Sequence, residues 1–247
     1  MAQIRLHFYQ SLNDFLAPSL SHTEIIHNFD RKASVKDMIE SFNVPHTEVG
    51  LILANGIAVD FNYIVQDIDY IRIYPALEDS PGTSSVLLRP EPLRPPLFVV
   101  DTNLGRLVRY LRLLGFDCLY RNDYDDDAIA QIASEQLRTV LTRDRSLLQR
   151  KIITYGYFVR SDMPKIQTKE VLKRFDLYSF LKPLSRCTHC NGKLMETDKR
   201  EIAHRLKPLT RQHYDRFLIC SECNQIYWQG SHSLRVRHLI NEFSIKR

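Results

Sequence analysis

The sequence has no apolar run approaching the ~18 residues that a membrane-spanning helix needs, and its N-terminus lacks a signal-peptide pattern. These two lacks exclude helical membrane-span functions and make a cytoplasmic protein the expectation. Cysteine is scarce as well, at five in 247 residues. Four of the five fall into two C-x-x-C pairs, a spacing that in an intracellular chain points to metal before disulfide. What remains is the composition of an ordinary soluble globular protein, with room for more than one domain.

Charge is present but unevenly placed. Residues 1–80 carry 5 Lys/Arg against 11 Asp/Glu, residues 81–183 carry 17 against 12, and residues 184–247 carry 12 against 6. A basic body behind an acidic head fits a polyanionic partner for the last two thirds, although a solvated basic surface would look the same.

The first 76 residues predict a small α+β unit. Ile4, Leu6 and Phe8 alternate with polar neighbours, as one face of a strand does. Residues 23–29 offer a second strand, and Ser34-Val35-Lys36-Asp37 has the form of a helix start with Ser34 as N-cap. Asn55-Gly56 between residues 51–54 and 57–59 predicts a tight hairpin, and residues 70–74 a last strand. This succession resembles the β-grasp of ubiquitin and of small sulfur carriers. Such carriers end in a flexible Gly-Gly, whereas here Tyr74 runs into Pro75-Ala76-Leu77-Glu78 and the chain continues. A docking or steadying module, with a possible protein partner, is therefore expected in place of a carrier. Residues 77–96 are rich in proline and serine and predict an extended linker.

From residue 97 to 183 strand and helix patterns alternate, as in an α/β fold with a parallel sheet. Leu104, Leu107, Val108, Leu111 and Leu114 form one apolar stripe after Asp101, Arg106, Arg109 and Arg112 recur on another side, and Gly115 ends the helix. Asp101 and Asp144 follow apolar strand-like runs, and Asp126 stands at the mouth of a helix. Parallel α/β sheets bind ligands beyond the carboxyl ends of their strands. Carboxylates gathered there need a cation between them, and oxygen donors suit Mg²⁺ or Mn²⁺. Each aspartate alone could equally be a helix cap.

The run Val100-Asp101-Thr102-Asn103-Leu104-Gly105-Arg106-Leu107-Val108-Arg109-Tyr110-Leu111-Arg112-Leu113-Leu114-Gly115-Phe116-Asp117 resembles the signature of the Mut-seven C-terminal RNase family, a compact branch of the PIN-like nucleases. Asp126 with Ala133, and Leu141-Thr142-Arg143-Asp144-Arg145, match its later motifs. The family also carries a C-terminal zinc ribbon, and some members a ubiquitin-like N-terminal domain. The resemblance implies a metal-dependent ribonuclease in which Asp101, Asp126 and Asp144 hold Mg²⁺ or Mn²⁺, with Arg106 and Arg143 placed to meet phosphate. For the fourth acid usual in PIN-like nucleases, Asp162 is the best candidate, unless it starts a turn over residues 163–169.

Cys187-Thr188-His189-Cys190 and Cys220-Ser221-Glu222-Cys223 complete a tetrahedral thiolate set that predicts structural zinc, since four thiolates leave no open position. Tyr214, Phe217, Tyr227 and Trp228 mix with Lys199, Arg200, Arg205, Lys207, Arg211, Arg235 and Arg237, a blend that suits single-stranded RNA or, for the rings, packing within a small module. Cys118 reads as a buried thiol. The expected organisation is a ubiquitin-like domain over residues 1–76, a linker over 77–96, a PIN-like nuclease domain over 97–183 and a zinc ribbon over 184–247. The alternative function is an RNA-binding or ribosome-associated adaptor without catalysis.

Overall fold

The N-terminal sheet follows from its alternation. In the computed structural model, which describes residues 2–76, 88–91, 93–228 and 233–244 (backbone only for 233–237), Ile4, Leu6 and Phe8 of β1 (Ala2–Phe8) are buried while Gln3 and Arg5 are exposed. Chain order continues with β2 (Glu24–Phe29), α1 (Val35–Ser41), β3 (Val49–Ala54), β4 (Ile57–Ala58) and β5 (Tyr70–Pro75), in the mixed sheet order β2-β1-β5-β3-β4. Leu6 stands opposite Ile25 on an antiparallel neighbour and Ile71 on a parallel one. Ser34 and Asp37 form the capping box expected at α1, with Asp37 N–H donating to Ser34 Oγ at 3.1 Å and Ser34 N–H to Asp37 Oδ2 at 3.3 Å. Asn55 and Gly56 make the β3–β4 turn at φ 51° and 89°, a pair of positive values that glycine and asparagine tolerate best. Val35, Met38 and Ile39 of α1 close the core over Ile4, Leu6, Ile52, Ile71 and Ile73.

The next elements are β6 (Phe98–Val100), α2 (Gly105–Leu113), β7 (Cys118–Leu119), α3 (Asp126–Glu135), β8 (Thr139–Thr142), α4 (Arg145–Leu148), β9 (Gly156–Phe158) and α5 (Pro164–Arg174). Two compact units emerge: residues 1–93 with 125–158, and residues 94–124 with 159–247. The parallel pairing expected of this part of the chain is seen as β8 with β9 in the first unit and β6 with β7 in the second. Every residue of β6 and β8 is buried, as parallel strands covered on both faces require.

Within the first unit, the β-grasp head and residues 125–158 share polar and aromatic contacts. Glu48 is 1% exposed, and its Oε1 accepts from the backbone N–H of Phe158 at 2.6 Å. His46 Nε2 lies 2.9 Å from the Ile153 carbonyl, and Arg145 donates to the Phe15 carbonyl at 3.0 Å. The Phe15 and Phe158 rings meet edge to face at 5.4 Å, with the Arg145 guanidinium over both. Glu48→Ala removes the buried carboxylate that accepts from the partly buried Phe158 N–H, so stability should fall by about 1–3 kcal/mol. Urea unfolding of the whole chain checks this, and an unchanged midpoint would refute it.

Most of the expected linker, residues 77–87 and 92, lies outside the described residues. Its described end is tied down: Arg89 donates to the carbonyls of His46, Thr47 and Val49, and Tyr155 Oη to the Pro90 carbonyl at 3.1 Å.

In the second unit, α2 buries Leu107, Val108 and Leu111, Leu114 is buried at its C-cap, and Gly115 at φ 99° supplies the left-handed residue that ends it. A three-stranded antiparallel sheet, β10 (Leu194–Thr197), β11 (Phe217–Cys220) and β12 (Ile226–Trp228), follows, with α6 (Lys199–Ile202) and α7 (Pro208–His213) between its first two strands. The last helix is α8 (Ser233–Ser244), whose Phe243 packs on Tyr110 of α2. Among the described residues, no helix is long and apolar enough to cross a membrane.

Candidate functional site

In the second unit, Asp101 stands at the carboxyl end of β6, 7% exposed. It occupies the N-cap position of a short 3-10 turn over Thr102–Leu104 yet makes no capping bond with its side chain. Its Oδ1 accepts from Thr102 Oγ1 at 3.2 Å. Asp162 is exposed and precedes α5, which starts at Pro164 with Met163 as N-cap. Pro164 is well placed in that first turn. Residues 164–169 are helical, and Asp162 does not cap them.

In the first unit, Asp125 caps α3 by accepting from Ala128 N–H at 2.8 Å, which leaves Asp126 in the first turn, 4.0 Å from Arg150. The neighbouring Asp127 is ion-paired to the same arginine. Asp144 ends the β8 segment and does cap α4: its Oδ1 accepts from the N–H and the hydroxyl of Ser146, each at 2.7 Å. Arg143 beside it and Arg106 on α2 are both exposed.

The four knuckle cysteines converge. Their sulfurs all lie within 4.8 Å of one another, with Cys187–Cys223 at 3.6 Å and Cys190–Cys220 at 3.3 Å. A tetrahedral ion with metal–sulfur bonds of about 2.3 Å would set its sulfurs about 3.8 Å apart, so the set can hold a metal ion such as zinc. Tyr227 Oη lies 3.0 Å from Cys187 Sγ and 3.2 Å from Thr188 Oγ1, which fixes this ring as part of the knuckle. Burial pushes the Cys187 thiol up, but the bonds from Tyr227 and from the N–H groups of Cys190 and His189 outweigh it and bring it down to about 6. Trp228 next door is 44% exposed, and residues 229–232 lie outside those described. Cys118 is fully buried, as expected.

Arg112 gives the outcome that the helical pattern missed. It is 3% exposed and faces inward, donating to the Cys118 carbonyl at 3.0 and 2.8 Å and to the His189 carbonyl at 2.6 Å. Asn191 adds a second tie, accepting from Cys118 N–H at 3.0 Å and donating to Asp117 at 2.9 Å. The first knuckle is thus fastened to α2 and β7. Beside this joint run two adjoining clefts, of about 610 and 620 Å³, which share Gly105, Arg109, Tyr120 and Asn122. Gly105 is needed there for close approach: a Cβ would come 2.7 Å from Tyr120 Oη, which itself donates to the Thr102 carbonyl.

A family model described as the Mut7-C RNAse domain matches residues 96–240, and one described as Mut7-C ubiquitin matches residues 1–80. No curated protein matches the chain, and no solved structure does.

Proposed function

The chain belongs to the Mut7-C RNAse family, and from that premise we propose that it hydrolyses RNA phosphodiester bonds with a divalent cation held by carboxylates. The match over residues 96–240 is the observation that carries this reading. Asp101, Asp126 and Asp144 are the proposed donors on a PIN-like α/β scaffold, with Asp162 as the fourth acid. Their oxygens suit Mg²⁺ or Mn²⁺. When bound, such an ion supplies an activated water and offsets charge on the phosphoryl oxygens. The exposed guanidiniums of Arg106 and Arg143 take phosphate, an anion their planar forks match. The four cysteines form a closed zinc site, structural because no coordination position is left for substrate.

The capping bond of Asp144 favours a second reading, an RNA-binding module whose acids only start helices. One pair of variants separates the two. Asn caps a helix about as well as Asp, whereas Ala costs about 1 kcal/mol. Asp144→Asn should therefore keep the melting temperature and lose cleavage of single-stranded RNA by at least about a hundredfold, while Asp144→Ala should lose both. Full activity in Asp144→Asn would leave the capping role alone standing.

A further inference from the structure

The two clefts of the second unit form one groove. They share Arg109 and Tyr120, so the space continues from Arg106 and Asp162 at one end to Thr188 and His189 at the other. One wall is the polar side of α2, where residues 105, 109 and 112 fall at helical spacing above the buried leucines. The other wall, at the far end, is the first cysteine knuckle.

The charge of this groove is positive and available. Arg106 and Arg109 are exposed and have no ion-pair partner among the described residues. Arg121 is held by Asp123 through two bonds of 2.9 and 2.7 Å, a pair that stays in water and is easily exchanged for phosphate. The side chains of Asn122 and His189, both exposed, add donors that a neutral or anionic ligand can use. A long groove with spaced cations and one tyrosine ring suits a linear polyanion with flat bases better than it suits a compact anion. A duplex would present its backbone on a broad convex surface, whereas a single strand can enter.

We propose that this groove binds the sugar–phosphate backbone of single-stranded RNA, with Arg109 at its centre and His189 of the cysteine knuckle on its far wall; the inference rests on the ribonuclease reading. The strand then extends from the Asp162 end, over Arg109, to the knuckle. Arg112 gives the knuckle its place in this arrangement. Its guanidinium grips the carbonyls of Thr188 and His189 from α2, so the fold of the four-cysteine site sets the width of the groove.

Binding can be measured without cleavage, by fluorescence anisotropy of a labelled oligouridylate of roughly twelve nucleotides in zinc-replete buffer lacking Mg²⁺ and Mn²⁺. The full chain is compared with Arg109→Ala, His189→Ala and Lys173→Ala, the last removing an exposed cation at the other end of α5. All three change exposed side chains, and unchanged melting temperatures verify their folds. Arg109→Ala should weaken binding by about tenfold and reduce the slope of log affinity against log salt by about 0.7, the loss of one single-strand phosphate contact. His189→Ala should weaken it severalfold, and Lys173→Ala should match the parent chain. The groove is refuted if the parent chain does not bind, if Arg109→Ala and His189→Ala bind like it with the same slope, or if Lys173→Ala loses as much as Arg109→Ala. Cleavage is scored separately after adding Mg²⁺ or Mn²⁺. A chain that binds through Arg109 and never cleaves overturns the ribonuclease reading and leaves the groove in place.

Discussion

Asp101→Asn should abolish RNA cleavage while the protein stays folded. The replacement has the same shape and retains an acceptor oxygen for Thr102 Oγ1, so the local hydrogen bond can survive. What disappears is the negative charge that would hold a divalent cation. Losing a cation's stabilisation of a phosphoryl transition state costs several kcal/mol, which is a rate loss of about a thousandfold. The measurement is cleavage of labelled single-stranded RNA with Mg²⁺ or Mn²⁺ present, beside a thermal melt of the same sample. A companion experiment treats the parent chain with EDTA, restores zinc alone, and then adds Mg²⁺ or Mn²⁺. Activity should return at the last step only. Full activity in Asp101→Asn, or cleavage after zinc alone, would sink the carboxylate-held cation.

Cys220→Ser should remove the bound metal and unfold the C-terminal ribbon. Cys220 is buried on β11, and its sulfur lies 3.3 Å from that of Cys190. The ribbon has little core of its own, chiefly Ile202, Phe217 and Ile226 with a few partly buried neighbours. In so small a module the metal supplies much of the folding energy; structural zinc sites contribute on the order of 10 kcal/mol. Zinc content measured by emission spectrometry should fall from about one equivalent to near zero. The damage should also reach α2, because Arg112 loses the ordered carbonyls of Thr188 and His189 that satisfy its buried guanidinium. Amide hydrogen exchange would show this as lost protection in α2 as well as in the ribbon. A variant that keeps its metal, or one whose exchange changes stop at the ribbon, would contradict the coupling.

The same contrast between local and distant causes explains what could be read in advance. The β-grasp strands, the Ser34–Asp37 capping box and the Asn55-Gly56 turn were legible because each rests on residues a few positions apart. So was the cysteine cluster, since two short knuckles around one ion need only the right spacing. Asp144 was legible as a possible cap for the same reason. At α3 the acidic run Asp125-Asp126-Asp127 hid which residue caps, and geometry assigned it to Asp125.

Arg112 was beyond the reach of pattern. Spacing placed it with Arg106 and Arg109 on the polar side of the helix, yet it is buried. The acceptors that draw it in are carbonyls of residues 118, 188 and 189, the last two from a knuckle far along the chain. The packing of residues 125–158 with the β-grasp head, through Glu48 and Arg145, was equally invisible from local sequence. By itself the sequence determined the elements, the metal-binding spacing and the family, because hydrophobic period, capping and ligand chemistry act between near neighbours. Only the tertiary structure decided which arginine is buried, which aspartate caps, and where a groove opens beside the knuckle. Those outcomes depend on buried donors and acceptors finding partners far away in the chain.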